Sequence, residues 1–238
     1  MSITLRTATG TFNTGSLANP IGTEPAGTAA GDVLVALVVH ENTANSITGP
    51  GSWSQLAEGG TPTAASAGFR FWFGYIVRGA SAPSLTWTST GAVYYETHII
   101  GLVGVDNASP IDAQSSVGST VANSGTGPDP PAATATLATD MAVTAAGHWS
   151  GSVGGGWTAP GSYTLCSNNT TGNDGMIAYR LLSAAGSEDP GAFTDGTLAN
   201  SDKWNGMTVL FKDASAVAGP IMTKYNAAQM RTTRRGYL

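Results

Sequence analysis

Residues 31–40 read Gly-Asp-Val-Leu-Val-Ala-Leu-Val-Val-His, with seven consecutive apolar side chains after the Gly-Asp pair. A run this short, rich in β-branched residues and lacking polar alternation, fits a strand covered on both faces and is too short for a buried helix. Residues 139–148 read Thr-Asp-Met-Ala-Val-Thr-Ala-Ala-Gly-His, so Asp32 to His40 and Asp140 to His148 have the same spacing. Each stretch leads to a similar turn, Pro50-Gly-Ser-Trp53 in the first case and Pro160-Gly-Ser-Tyr163 in the second.

Other strand-like runs surround these two. Phe69–Val77 is aromatic and β-branched, with Gly74 as the place for a bulge. Along Tyr94–Val103, Tyr95, Thr97 and Ile99 fall on one face and Glu96, His98 and Ile100 on the other. Gly/Pro clusters such as Gly49-Pro-Gly-Ser52 punctuate them, and no helical stripe appears before the C-terminus. The expectation is an all-β chain.

A period of about 107 residues far exceeds that of a solenoid unit. It suits two halves, each with one apolar face that needs cover. Packed face to face, they make a jelly-roll-like antiparallel β-sandwich with a core roughly 10 Å thick. The expected divisions are an N-terminal strand or arm over 1–30 and a sandwich over 31–213. The sandwich splits into halves 31–125 and 133–213, joined by a proline-rich linker over 126–132. A C-terminal arm follows over 214–238.

Charged residues are 11% of the chain, against about 25% in ordinary soluble domains. A protein held in a fixed assembly needs less surface charge than one free in solution. The lone Cys166 has no internal disulfide partner, and the first residues lack the apolar stretch of a secretion signal. No apolar run approaches the ~20 residues of a membrane helix. Synthesis in the cytosol, with no membrane partner, is the expectation.

The arm differs from the body. Residues 214–238 hold Lys224, Arg231, Arg234 and Arg235 and no acid, a charge of +4; the remainder carries −9, which together give the net −5. Lys224, Tyr225, Arg231, Arg234, Arg235 and Tyr237 are therefore the candidate partner contacts, docking on an acidic surface that salt would screen. A body at −9 repels phosphates, so nucleic acid is not an expected ligand.

There is no Gly-x-Ser-x-Gly elbow, no phosphate-binding glycine loop and no calcium loop. His40-Glu41 begins like a zinc-protease motif, but Ala44 stands where the second ligand belongs. His40, His98 and His148 are conceivable as a three-histidine metal site, with strand-end histidines as the plainer reading. No catalytic residue, cofactor or metal is expected, and the chain is not expected to be an enzyme. Of six tryptophans, Trp72 and Trp87 belong in the core, and Trp157 after Gly154-Gly-Gly is the candidate exposed ring for a glycan or a neighbouring subunit.

The succession Gly31–Val39, Pro50–Trp53, Ala80–Trp87 and Gly104–Asp112 resembles β-sandwich proteins recurrent in tailed bacteriophages and phage-derived genes. The likeness spans about 31–213 and excludes the arm. It implies a virion part: a head decoration or cement protein, a head fibre, or a tail or baseplate appendage. The implied partners are the major capsid protein or other virion subunits and neighbouring copies of itself.

Overall fold

The computed structural model describes residues 2–12, 18–41, 45–60, 69–91, 94–120, 127–149, 156–168, 174–195 and 203–215. Among them every regular element is a β-strand. The earlier strands are β1 (Thr4–Phe12), β2 (Val33–Glu41), β3 (Ile47–Thr48), β4 (Ser54–Gly60), β5 (Phe69–Val77), β6 (Thr88–Ser89) and β7 (Tyr95–Val103). The later ones are β8 (Ile111–Gln114), β9 (Gly118–Thr120), β10 (Ala133–Ala135), β11 (Met141–Trp149), β12 (Trp157–Thr158), β13 (Thr164–Asn168), β14 (Asp174–Leu181), β15 (Gly186–Glu188), β16 (Thr194–Asp195) and β17 (Lys203–Phe211).

Two large antiparallel sheets face each other. The first runs β1-β7-β2-β5-β4. The second runs β8-β17-β11-β14-β13, with β9 continuing beside β17. Each sheet thus comes from one half of the chain. Their pairing orders match: the opening strand lies beside the last, and the last beside the strand that follows Asp32 or Asp140.

Alternation explains the uninterrupted apolar run. Val33, Val35, Leu37 and Val39 enter the core between the sheets, where Phe71, Phe73, Ile100 and Leu102 meet Met141, Val143, Ile177, Val209 and Phe211. Leu34, Ala36 and Val38 face the other way, onto Trp53, Trp72 and Trp87. A thin outer layer covers that side. In it β3 pairs β6, and residues 18–22 run beside 85–89 through Trp87 N–H to Pro20 O, at 2.8 Å. The second half is covered likewise by β10 with β15 and β12 with β16, over Trp157, Tyr163, Phe193 and the outer alanines of β11. Trp72 and Trp87 are fully buried, as their strand patterns require.

The turns repeat in detail. Trp53 N–H donates to Pro50 O at 2.9 Å and Tyr163 N–H to Pro160 O at 2.8 Å. Arg78 N–H donates to Asp32 O at 2.8 Å and Leu182 N–H to Asp140 O at 2.9 Å.

Two expectations need correction and a third narrows to one alternative. The proline-rich 126–132 stretch does not join the halves, because β8 and β9 before it already pair with β17. The sheets instead hand over at 104–110. Pro130 and Pro131 pack where Gly206 and Gly118 lack a Cβ, so this stretch is part of the second half's cover. Of strand or arm, the N-terminal residues form the strand, β1 along β7, and the arm alternative falls. Third, the bulge lies not at Gly74 but opposite it, between Gln55 and Ala57 of β4.

Gly74 serves another purpose. A Cβ there would lie 2.5 Å from the Trp72 ring and 2.6 Å from Ser54 O, and one at Gly49 would also meet Trp72 at 2.5 Å. These two glycines form the slot that lets the indole lie flat against its own sheet. Gly74→Ala is therefore expected to lower the unfolding free energy by about 1–3 kcal/mol, read by denaturant titration. A loss below about 0.5 kcal/mol would contradict the slot.

Candidate functional site

The sheets run aligned, so the molecule has two unlike ends. At one end β7 and β17 finish together: Val105 bridges Asp213, Asp106 N–H donates to Lys212 O at 2.9 Å, and Ala214 N–H to Gly104 O at 3.0 Å. Ile3 and Ser215, close to both limits of the described body, lie at this end, which we term the base. At the other end Glu96 of the first sheet accepts from Gly175 N–H of the second at 2.9 Å. Strand ends at Phe12, Glu41, Gly60, Thr120, Trp149 and Asn168 all lie there, on the side away from the base.

Glu96 and His98 face the space between the sheets, both almost fully buried, with His98 Nε2 3.1 Å from Glu96 Oε2. A Cβ on Gly175 would stand 2.6 Å from the His98 ring, so only glycine admits this approach. The alternation of β7 had put Glu96 and His98 on one face. Nothing in the local sequence signalled that the other half would cover it.

The three histidines do not meet. His98 lies between the sheets, whereas His40 and His148 continue the outward-facing series of β2 and β11, on opposite sides of the molecule. Among the described residues no group of three or more metal-ligating side chains forms.

Trp157 is not the exposed ring expected from its glycine-rich approach. It is 5% exposed and lies edge-on to His148, ring centroids 4.8 Å apart. Gly156, with φ +106°, turns the chain inward, and the β12–β16 pairing lays the indole onto the outer face of β11. The observation that suggested a sugar-stacking face is thereby removed. Trp53 and Trp204 are buried as well.

The predicted arm contacts Lys224, Tyr225, Arg231, Arg234, Arg235 and Tyr237 lie outside the described residues. The body's own cations are largely spoken for. Arg6 pairs with Asp32, Arg70 with Glu58, Arg78 with Glu24 and Arg180 with Glu188. Burial pushes the Glu24 carboxyl up, but bonds from Arg78 and Thr28 outweigh it and hold the group below its ordinary range. Tyr163 donates to Glu188 at 2.8 Å, and burial followed by that carboxylate pushes the phenol up.

The base also holds two unlike acid sites. Asp32 is met by Arg6 Nε at 2.7 Å and by Ala29 N–H at 2.8 Å. At the matching place in the second half, Asp140 has Asp112 beside it instead. Arg6 and Asp112 both sit at register shifts, between Leu5 and Ala8 of β1 and between Ile111 and Ala113 of β8. Such bulges re-aim a side chain.

No protein-family model, no curated protein and no solved structure matches this chain.

Because the Trp157 indole is core, Trp157→Ala is expected to cost about 3–5 kcal/mol of stability by denaturant titration. An effect under 1 kcal/mol would return the ring to the surface.

Proposed function

We propose that this protein is a structural subunit of a virus particle, a decoration or cement protein on a bacteriophage head, made in the host cytoplasm and carried on the virion. One observation carries the reading. β1 begins and β17 ends at the base of a sandwich low in charge, and the +4 segment over 214–238 follows β17 in sequence. That arrangement suits a rigid body attached at one end and presented at the other. The likeness to phage β-sandwich proteins supports the same assignment.

The pairing order supports a finer statement. Counting 18–22 as a strand, each half places its first, last, third, sixth and fifth strands in the large sheet; the thin layer takes the second, fourth and seventh, and in the second half also β16, which pairs with β12. This resembles a jelly-roll order except in the fifth strand, β4 or β13, which stays in the large sheet.

The electrostatics give the +4 segment an acidic partner surface. Body acids outnumber body cations by fifteen to six, and four of those six cations are paired internally. An acidic patch on the major capsid protein, another virion subunit or a neighbouring copy would attract the arm, and repetition around a closed shell multiplies weak contacts. No catalytic role, cofactor, nucleic-acid or membrane partner enters this reading.

Purified protein should bind particles that lack it, with deletion of 216–238 weakening binding on the order of tenfold or more, and added salt doing the same to the full chain. Quantitative mass spectrometry should count it at the shell-subunit number or a fixed fraction of it. A few copies per particle would place it in the tail, baseplate or a head fibre. Failure to bind, with no change in particle stability, would end the virion reading.

A further inference from the structure

Asp140 is fully buried, and among the described residues no N–H or O–H donates to its Oδ2. Its other oxygen accepts from Asp213 N–H at 3.4 Å. A buried carboxylate oxygen without a donor costs several kcal/mol, so the neighbouring group must supply one. That neighbour is the Asp112 carboxyl, itself fixed by Thr136, whose N–H donates to Oδ2 at 2.6 Å and whose hydroxyl donates to Oδ1. Asp112 and Asp140 lie within side-chain hydrogen-bonding reach of each other, and two carboxyls so placed resist both being ionised. One proton held between them removes the repulsion and gives Oδ2 its partner.

We infer that Asp112 and Asp140 share a proton, and that this pair is a pH-sensitive latch closing the base of the second half onto the first. The latch joins several of the second half's elements at the base. Asp112 brings β8, Thr136 the turn before β11, and Asp140 the start of β11. Leu182 N–H, bonded to Asp140 O, brings the end of β14. Asp213 ties in the seam through its bridge to Val105. Charged groups around the pair are few: Lys212 and Asp213 after β17, and Asp106 across the seam. Arg180 and Glu188 beside β15 satisfy each other. Asp213 already accepts from Ser215 N–H at 2.7 Å and from the Ser215 hydroxyl at 2.8 Å. In the first half a guanidinium fills the corresponding place and no proton is needed. The inference is independent of the virion reading.

Burial, then the bond and charge of Asp112, push the Asp140 carboxyl up to about 7 against the opposing Asp213 N–H and Lys212. Asp112 is held lower: burial raises it, but the Thr136 bonds outweigh that. Unfolded, Asp140 would release its proton near pH 4. The folded state therefore binds more protons between roughly pH 4 and 7. The pair's contribution is complete below that window and lost as pH rises through it.

The test is a pH series from 5 to 8 on the full chain, comparing wild type with Asp112→Arg, which rebuilds the arrangement of Arg6 and Asp32. Wild type should lose on the order of 5 °C in Tm relative to the variant across that range. Hydrogen exchange of 104–114 and 206–215, corrected for intrinsic pH dependence, should quicken in wild type alone. Carboxyl-carbon NMR of wild type, which needs no variant to fold, should show Asp140 titrating near neutrality. Equal pH slopes in the two proteins, or an Asp140 carboxyl that titrates below pH 5, would overturn the latch.

Discussion

The contact between the two large sheets is the constraint on which the rest of this molecule depends. Neither sheet could stand alone in water: β2, β5 and β7 present one apolar face to β11, β14 and β17, and each face is the other's only cover. Burying that surface is the main favourable term of folding. It also fixes the alignment of the halves. The Glu96–Gly175 bond at one end and the Val105–Asp213 bridge at the other leave no freedom to rotate one sheet over the other. The unlike ends of the body follow from that alignment.

How much of this could be read from residues alone varied with how local the cause was. The double-faced nature of β2 was legible because seven apolar residues in strand length admit few other readings. Its counterpart β11 was fainter: Ala142 and Ala146 are small because Trp157, Tyr163 and Phe193 fill the space above, and those partners lie far away in sequence. Trp157 was misplaced for the same reason. Gly154-Gly-Gly marks irregular backbone, but the cover that buries the indole comes from the 194–195 strand. The 126–132 prolines suggested a linker, while the signal that they pack down lay in Gly118 and Gly206. Asp112 as the counterpart of Arg6 was invisible, since Thr-Leu-Arg-Thr and Ile-Asp-Ala-Gln share no pattern.

Charge distribution connects the fold to its proposed use. With so few cations, the body pairs most of them with its own acids. The basic residues left over are concentrated in 214–238. The base, where the seam, the paired acids and the departing chain meet, is then the part most sensitive to its surroundings.

The most direct test of the shared core is native-state hydrogen exchange in rising denaturant, followed separately in Val33–Val39 and Met141–Ala146. If the sheets depend on one another, both stretches should converge on one opening free energy with one denaturant slope, as parts of a single cooperative unit. If either stretch opened at markedly lower free energy while the other stayed protected, the halves would be independently stable and the shared core would not be what holds the molecule together.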